Sequence, residues 1–129
     1  MKMSKLGGAP MQLAGSQSDV KGLVVDATSV YWVTGNGGAV MKVPLDGGVV
    51  TELASGPADY IAVDATHVYW TSYGGHTVMR VPLGGGAPSQ VAATRTTTSA
   101  IAVDATSVYW VDQGTSPNFS DGAIMKLAK

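Results

Sequence analysis

One phrase, Val-Asp-Ala-Thr-x-Val-Tyr-Trp, occurs three times in this chain, at residues 25–32, 63–70 and 103–110. Asp26 and Asp64 stand 38 positions apart, and Asp64 and Asp104 stand 40 apart. A second element follows each phrase: Ala39-Val40-Met41-Lys42-Val43-Pro44-Leu45, then Thr77-Val78-Met79-Arg80-Val81-Pro82-Leu83, then Ala123-Ile124-Met125-Lys126-Leu127. A third element at residues 49–54 recurs more weakly at 88–93. A period of about 40 residues marks an array of supersecondary units, and it restricts the fold more than any local propensity does.

Each unit reads as β-structure. Its apolar runs are short, rich in Val, Ile, Tyr and Trp, and separated by Gly, Asp, Asn, Ser and Thr clusters. No stretch keeps an apolar stripe at helical spacing over three turns. The second unit divides into strand A at 61–64, strand B at 67–72, strand C at 77–82 and strand D at 89–93. Pro44 and Pro82 fall at strand ends, where a missing N–H costs little. Four antiparallel strands in roughly 40 residues is the arithmetic of a β-propeller blade. Solenoid units are usually shorter, and sandwiches do not repeat their sequence. The expected fold is therefore an all-β propeller, with blade repeats at about 23–54, 61–93 and 101–127.

The frame of the repeat is offset from the frame of the sequence. Residues 6–14 match residues 83–92 with one Gly removed, so an orphan strand D is expected at about 11–14. After the third strand C no strand D follows. The parts sum to three permuted four-stranded blades. Closed propellers hold roughly 4–8 blades, so three cannot close a ring. Two chains make six, each donating its strand D to the other and leaving no open sheet edge. The expectation is an obligate homodimer with inter-chain strand closure. A nine-bladed trimer is a weaker alternative, and a piece of a longer protein that forms no ring is the bland one. The close self-similarity also fits recent duplication of one blade, or an engineered or rebuilt propeller.

Composition excludes several classes. The net charge is −1, which argues against nucleic acid or an anionic membrane as partner. No apolar run approaches the roughly 20 residues that span a bilayer. No apolar segment of signal-peptide type follows the basic start Met1-Lys2-Met3-Ser4-Lys5. There is no cysteine, so disulfides, all-cysteine zinc sites and thiol catalysis are excluded.

Val63-Asp64, Val68-Tyr69-Trp70-Thr71 and Val78-Met79-Arg80-Val81 resemble the YWTD repeat of low-density lipoprotein receptor propellers. They are still more similar to bacterial tandem repeats of the same pattern. The resemblance runs from Met11 to Lys129. It implies a six-bladed ring, in agreement with two chains of three blades, and a binding or structural module rather than an enzyme. The sequence departs at the fourth motif residue, which is Thr34, Ser72 and Asp112 in turn, so only the third unit ends in Asp.

The recurring residues read as framework. Neighbouring side chains of a strand face opposite ways, so each Tyr-Trp pair is expected to cement one blade to both its neighbours. Asp26, Asp64 and Asp104 each open an Asp-Ala-Thr turn, where the carboxylate accepts a backbone N–H two residues on. Met41, Met79 and Met125 read as core fillers. Lys42, Arg80 and Lys126 lie on the opposite strand face, solvated or in blade-to-blade ion pairs. His67 and His76 lack the spacing of a zinc site, no cofactor is implied, and there is no GxSxG, P-loop or triad. Gly-rich segments such as Gly84-Gly85-Gly86 read as turns, not phosphate cradles.

Residues that vary between units are the candidates for binding a small molecule, glycan or protein. The D–A and B–C loops gather on one face of a propeller. They offer Asp59, Tyr60 and Arg95 from the former, and Tyr73, His76, Asp112, Asn118 and Asp121 from the latter. The insertion at 113–122 is the only sizeable one and carries the only Phe. Asp112, Asn118 and Asp121 suit a cation or sugar hydroxyls, which keeps a lectin-like alternative open. A six-bladed lactonase-like hydrolase is the enzymatic rival. It needs metal-ligating groups on strand A, where this sequence places Leu, Val, Ile and Ala.

Overall fold

The computed structural model describes residues 8–35, 38–72, 74–118 and 120–129. Within them the chain is all-β: β1 (Val20–Val25), β2 (Ser29–Thr34), β3 (Ala39–Pro44), β4 (Thr51–Ser55), β5 (Tyr60–Val63), β6 (His67–Ser72), β7 (Thr77–Pro82), β8 (Ser89–Ala93), β9 (Thr98–Val103), β10 (Ser107–Asp112) and β11 (Ala123–Ala128). These form three antiparallel sheets in sequence order, β1-β2-β3-β4, β5-β6-β7-β8 and β9-β10-β11. The first strands β1, β5 and β9 pack side by side, so the sheets radiate from a shared inner edge.

Strands B, C and D of the second sheet match the sequence expectation residue for residue. Strand A differs. β1 and β9 begin earlier than the repeated phrase, at Val20 and Thr98, because pairing with strand B continues past a bulge. Thr98, expected in a loop, is therefore a strand residue. Residues 11–14, expected as a strand, carry only an isolated bridge at Met11.

The turns follow from their residues. Gly47 donates its N–H to Pro44 O and Gly85 to Pro82 O, both at 2.9 Å, with φ of 84° and 92°. That left-handed backbone suits glycine. The opposite end is laced by amides linking loops to strand ends: Gly35 to Asp19, Gly56 to Gly38, Thr94 to His76 and Gln113 to Thr97. The D–A and B–C loops therefore share one end, as expected.

Two apolar clusters join the sheets. The first holds Tyr31, Val33 and Val40 of sheet one against Ile61, Val68, Trp70 and Val81 of sheet two. The second holds Tyr69 and Val78 of sheet two against Val108 and Trp110 of sheet three. So Tyr31 and Tyr69 face the following sheet and Trp70 and Trp110 the preceding one, and the middle pair, Tyr69-Trp70, shows the division expected of the aromatic pair. The middle sheet is covered on both faces. Among the described residues no sheet covers the outer faces of sheets one and three.

Candidate functional site

The loop end carries the candidate residues, and the structure sorts them. Asp59 donates its amide to Thr71 O at 2.9 Å, and exposed Tyr60 opens β5 opposite Thr71. His76 is exposed with φ of 49°, and its carbonyl accepts the Thr94 amide at 2.7 Å. Tyr73, Asn36 and Phe119 lie outside the described residues. Asn118 is exposed in the insertion.

Arg95 and Asp121 are brought together, with Nη2 and Oδ2 3.8 Å apart. The Asp121 carboxylate is already engaged, because the Thr115 amide reaches Oδ1 at 2.6 Å and the Thr115 hydroxyl reaches Oδ2 at 2.7 Å. The amide of Thr115, foremost, holds the Asp121 carboxyl below its ordinary value. Asp121 therefore braces the insertion while remaining exposed.

Asp112 behaves differently from its counterparts. Thr34 Oγ1 accepts the Ala39 amide at 3.0 Å, and Ser72 Oγ accepts the Gly75 amide at 3.2 Å. Asp112 is 2% exposed, and among the described residues neither carboxylate oxygen meets a hydrogen-bond donor. Alternation along β10 puts Asp112 on the Trp110 side, facing sheet two, and Thr98 pairs with it from β9. Thr71 lies on the Tyr69 side of β6, facing sheet three. Thr71 Oγ1, Thr98 Oγ1 and Trp110 Nε1 are likewise buried with no partner among the described residues. The walls between sheets two and three thus hold a carboxylate and three donors, at the loop end. Buried polar groups are normally paired. Of these four, only Asp112 stood out in the sequence, as the odd member of the fourth motif position; the Thr and Trp residues gave no signal.

At the other end the three recurring aspartates are structural latches. Oδ1 of Asp26, Asp64 and Asp104 accepts the amide two residues on, at 2.8, 2.8 and 2.9 Å. Oδ2 accepts the hydroxyl of Tyr31, Tyr69 or Tyr109 at 2.9, 3.0 and 2.8 Å. The tyrosine bond, five residues on in every repeat, was available in the spacing. Burial pushes the Asp64 carboxyl up, but the Lys129 ammonium at 2.6 Å, the Thr66 and His67 amides and the Tyr69 hydroxyl outweigh it, leaving it well below the carboxylate range. The Thr106 amide, the Tyr109 hydroxyl and the Ser107 amide hold Asp104 at about 2.

The cations of strand C are not merely solvated. Lys42 Nζ stands 5.7 Å from the Tyr31 ring centroid and donates to Leu83 O of the next sheet at 2.9 Å. Lys126 Nζ stands 5.6 Å from the Tyr109 ring. Met79 and Met125 pack against the two clusters as fillers. His67 Nδ1 lies 2.8 Å from Thr66 Oγ1, within the turn. Among the described residues no three His, Cys, Asp or Glu side chains gather into a metal-binding group.

One concavity is apolar. A groove of about 420 Å³ lies on the uncovered face of sheet one, lined by Leu23, Val25, Trp32 and Leu45 together with Leu13 and Ala14. Trp32 Nε1 donates to Gln17 Oε1 at 3.0 Å, which holds the segment before β1 against this face.

No family model matches the sequence, and no curated protein does. Solved structures do. The chain is similar to one in a nidogen/laminin complex, with TM-score 0.73 and 21% identity over 84% of this chain and 44% of that one. It is similar to the WD40 β-propeller domain of Doa1, with TM-score 0.70 and 15% identity over 88% of this chain and 39% of that one. A protein of unknown function from Bacteroides thetaiotaomicron gives TM-score 0.61 and 21% identity over 82% of this chain and 30% of that one. This chain therefore spans less than half of each. At these identities the likeness establishes the fold: the sheets are arranged as propeller blades.

Proposed function

We propose that this protein is a non-enzymatic interaction scaffold of the YWTD propeller type, and that two copies exchange an outer strand to close a six-bladed ring. The observation that carries this reading is the apolar exposure of the terminal blades. Leu23 and Val25 on the first are 62% and 56% exposed, and Ile124 on the third is 75% exposed. Large contiguous apolar faces of this kind mark interaction surfaces. A non-enzymatic role is supported by the inner strands β1, β5 and β9, which contain no Asp, Glu or His to serve a central channel. Likeness to a chain from a complex of two proteins supports protein as the partner class.

Light scattering at micromolar concentration tests the assembly. The expected mass is about 26 kDa, twice the 13.2 kDa of one chain. A cooperatively folded species of single-chain mass overturns it.

A second reading is favoured by the unpartnered Asp112. The loop end between blades two and three would hold a small hydrogen-bonding ligand, such as a sugar, with Asp59, Tyr60, His76, Arg95, Asn118 and Asp121 offered at that end. A glycan array and calorimetric calcium titration test this. Binding that Asp112→Asn abolishes supports it, and silence in both returns the loop end to a purely structural role.

A further inference from the structure

We infer that the Tyr109 face of blade three in one copy docks on the Trp32 face of blade one in a second copy, in the register that blade one uses on blade two within the chain. This inference rests on the ring-closing reading above and names its interface.

The repeat supplies the template. Leu23, Ile61 and Ile101 pair with Trp32, Trp70 and Trp110 respectively, so each lies on the Trp side of its blade. Ile61 is 8% exposed because the Tyr31 face of blade one covers it, whereas Leu23 is left open. The Tyr side shows the converse. Val40, Val78 and Ile124 are equivalent, pairing with Val33, Thr71 and Val111. Val40 and Val78 are 1% and 0% exposed, and only Ile124 stands open. Blade one thus lacks a Tyr-type face against its Trp side, and blade three lacks a Trp-type face against its Tyr side. Each is the complement of the other. A shallow groove of about 100 Å³ between Ala102, Tyr109, Val111 and Ile124 receives the facing side chains.

Two details fix the register. Lys126 stacks on Tyr109 as Lys42 stacks on Tyr31. Lys42 reaches over to Leu83 in the C–D turn of the next blade. Lys126 is placed to reach the equivalent turn, around Leu45, of the second copy. Leu13 and Ala14 lie along the Trp32 face as Leu53 and Ala54 lie within the Trp70 cluster. β3 and β7 pair with their outer strands through Val40↔Ala54 and Met41↔Glu52, and through Val78↔Ala92 and Met79↔Gln90. Transferred to β11, whose outer edge has no strand partner among the described residues, the pattern pairs Ile124 with Ala14 and Met125 with Gln12 of the second copy. The contact joins two different faces, so it closes only if the rotation it imposes returns to the start. Closure at two copies is what the ring-closing reading above requires.

The chain has no cysteine, so site-directed crosslinking is clean. Gln12→Cys combined with Met125→Cys is treated with mild oxidant or a short bismaleimide. Gln90→Cys with Met79→Cys, an observed neighbouring pair within one chain, verifies that this spacing reacts. The expected result is a covalent dimer as the end product, formed by the double variant and by neither single variant. A ladder of higher species overturns closure at two copies. A dimeric mass by light scattering without crosslinking overturns this register and leaves the dimer reading intact. A folded monomer overturns both.

Discussion

The aspartate of each Asp-Ala-Thr turn uses both oxygens, accepting two backbone amides through one and a tyrosine hydroxyl through the other. A carboxylate accepting several donors is stabilised in its ionised form. Asp26, Asp64 and Asp104 accordingly ionise below their ordinary range in the folded chain. Their contribution to stability is full above the unfolded carboxylate value of about 3.9. It is lost as pH falls through the folded values, which for Asp104 lies at about 2. The urea midpoint is expected to be insensitive to these groups from pH 7 to 5 and to fall progressively between pH 4 and 2. Asp64→Asn should flatten that fall. Tyr69→Phe removes a buried hydroxyl bonded to a charged group, and should cost about 1.5–3 kcal/mol in urea unfolding. The turn role of these aspartates was legible in Asp-Ala-Thr itself. The tyrosine half was not drawn from the sequence, because a turn motif describes backbone geometry and leaves unstated which side chain reaches the second oxygen.

At the scale of the blade, one sheet presents a Tyr side and a Trp side, and the neighbours determine the worth of each. Trp70 is buried between blades one and two, so Trp70→Ala should cost about 3–5 kcal/mol by thermal or chemical unfolding. Gly38 shows a second constraint. A Cβ there would run into the Gly56 carbonyl and the Pro57 backbone, where the D–A loop crosses the start of β3. The obstacle is backbone, which cannot swing aside. Gly38→Ala is therefore expected to destabilise the chain despite its small volume, and circular dichroism melting will show it. Strands B, C and D of the second blade were readable from alternation and punctuation. The extra length of β1 and β9 was not, since Lys21 and Ser99 are bulge residues that the ladder skips, and Val20 and Thr98 pair only beyond them.

For the whole molecule, equivalent residues differ in exposure according to which blade has a neighbour. Val78→Glu places a charge between two blades and should prevent folding. Ile124→Glu, at the equivalent position on the open face, should leave each chain folded and reduce the light-scattering mass to that of a monomer. If both variants behave alike, the open face is not an assembly surface. The loop end obeys the same logic at smaller amplitude. Thr34 and Ser72 satisfy themselves locally, while Asp112, at the matching position beneath a longer loop, does not.

The amino-acid order alone was enough for the all-β class, the period and the turn role of the recurring Asp residues, because these depend on alternation and short-range turn chemistry that every repeat restates. Tertiary structure decided which of three nearly identical faces are covered, which candidate loop residues meet, and that Asp121 is engaged while Asp112 is not. Those outcomes depend on what stands opposite a residue across a sheet interface, and near-identical repeats hold no local record of their neighbours.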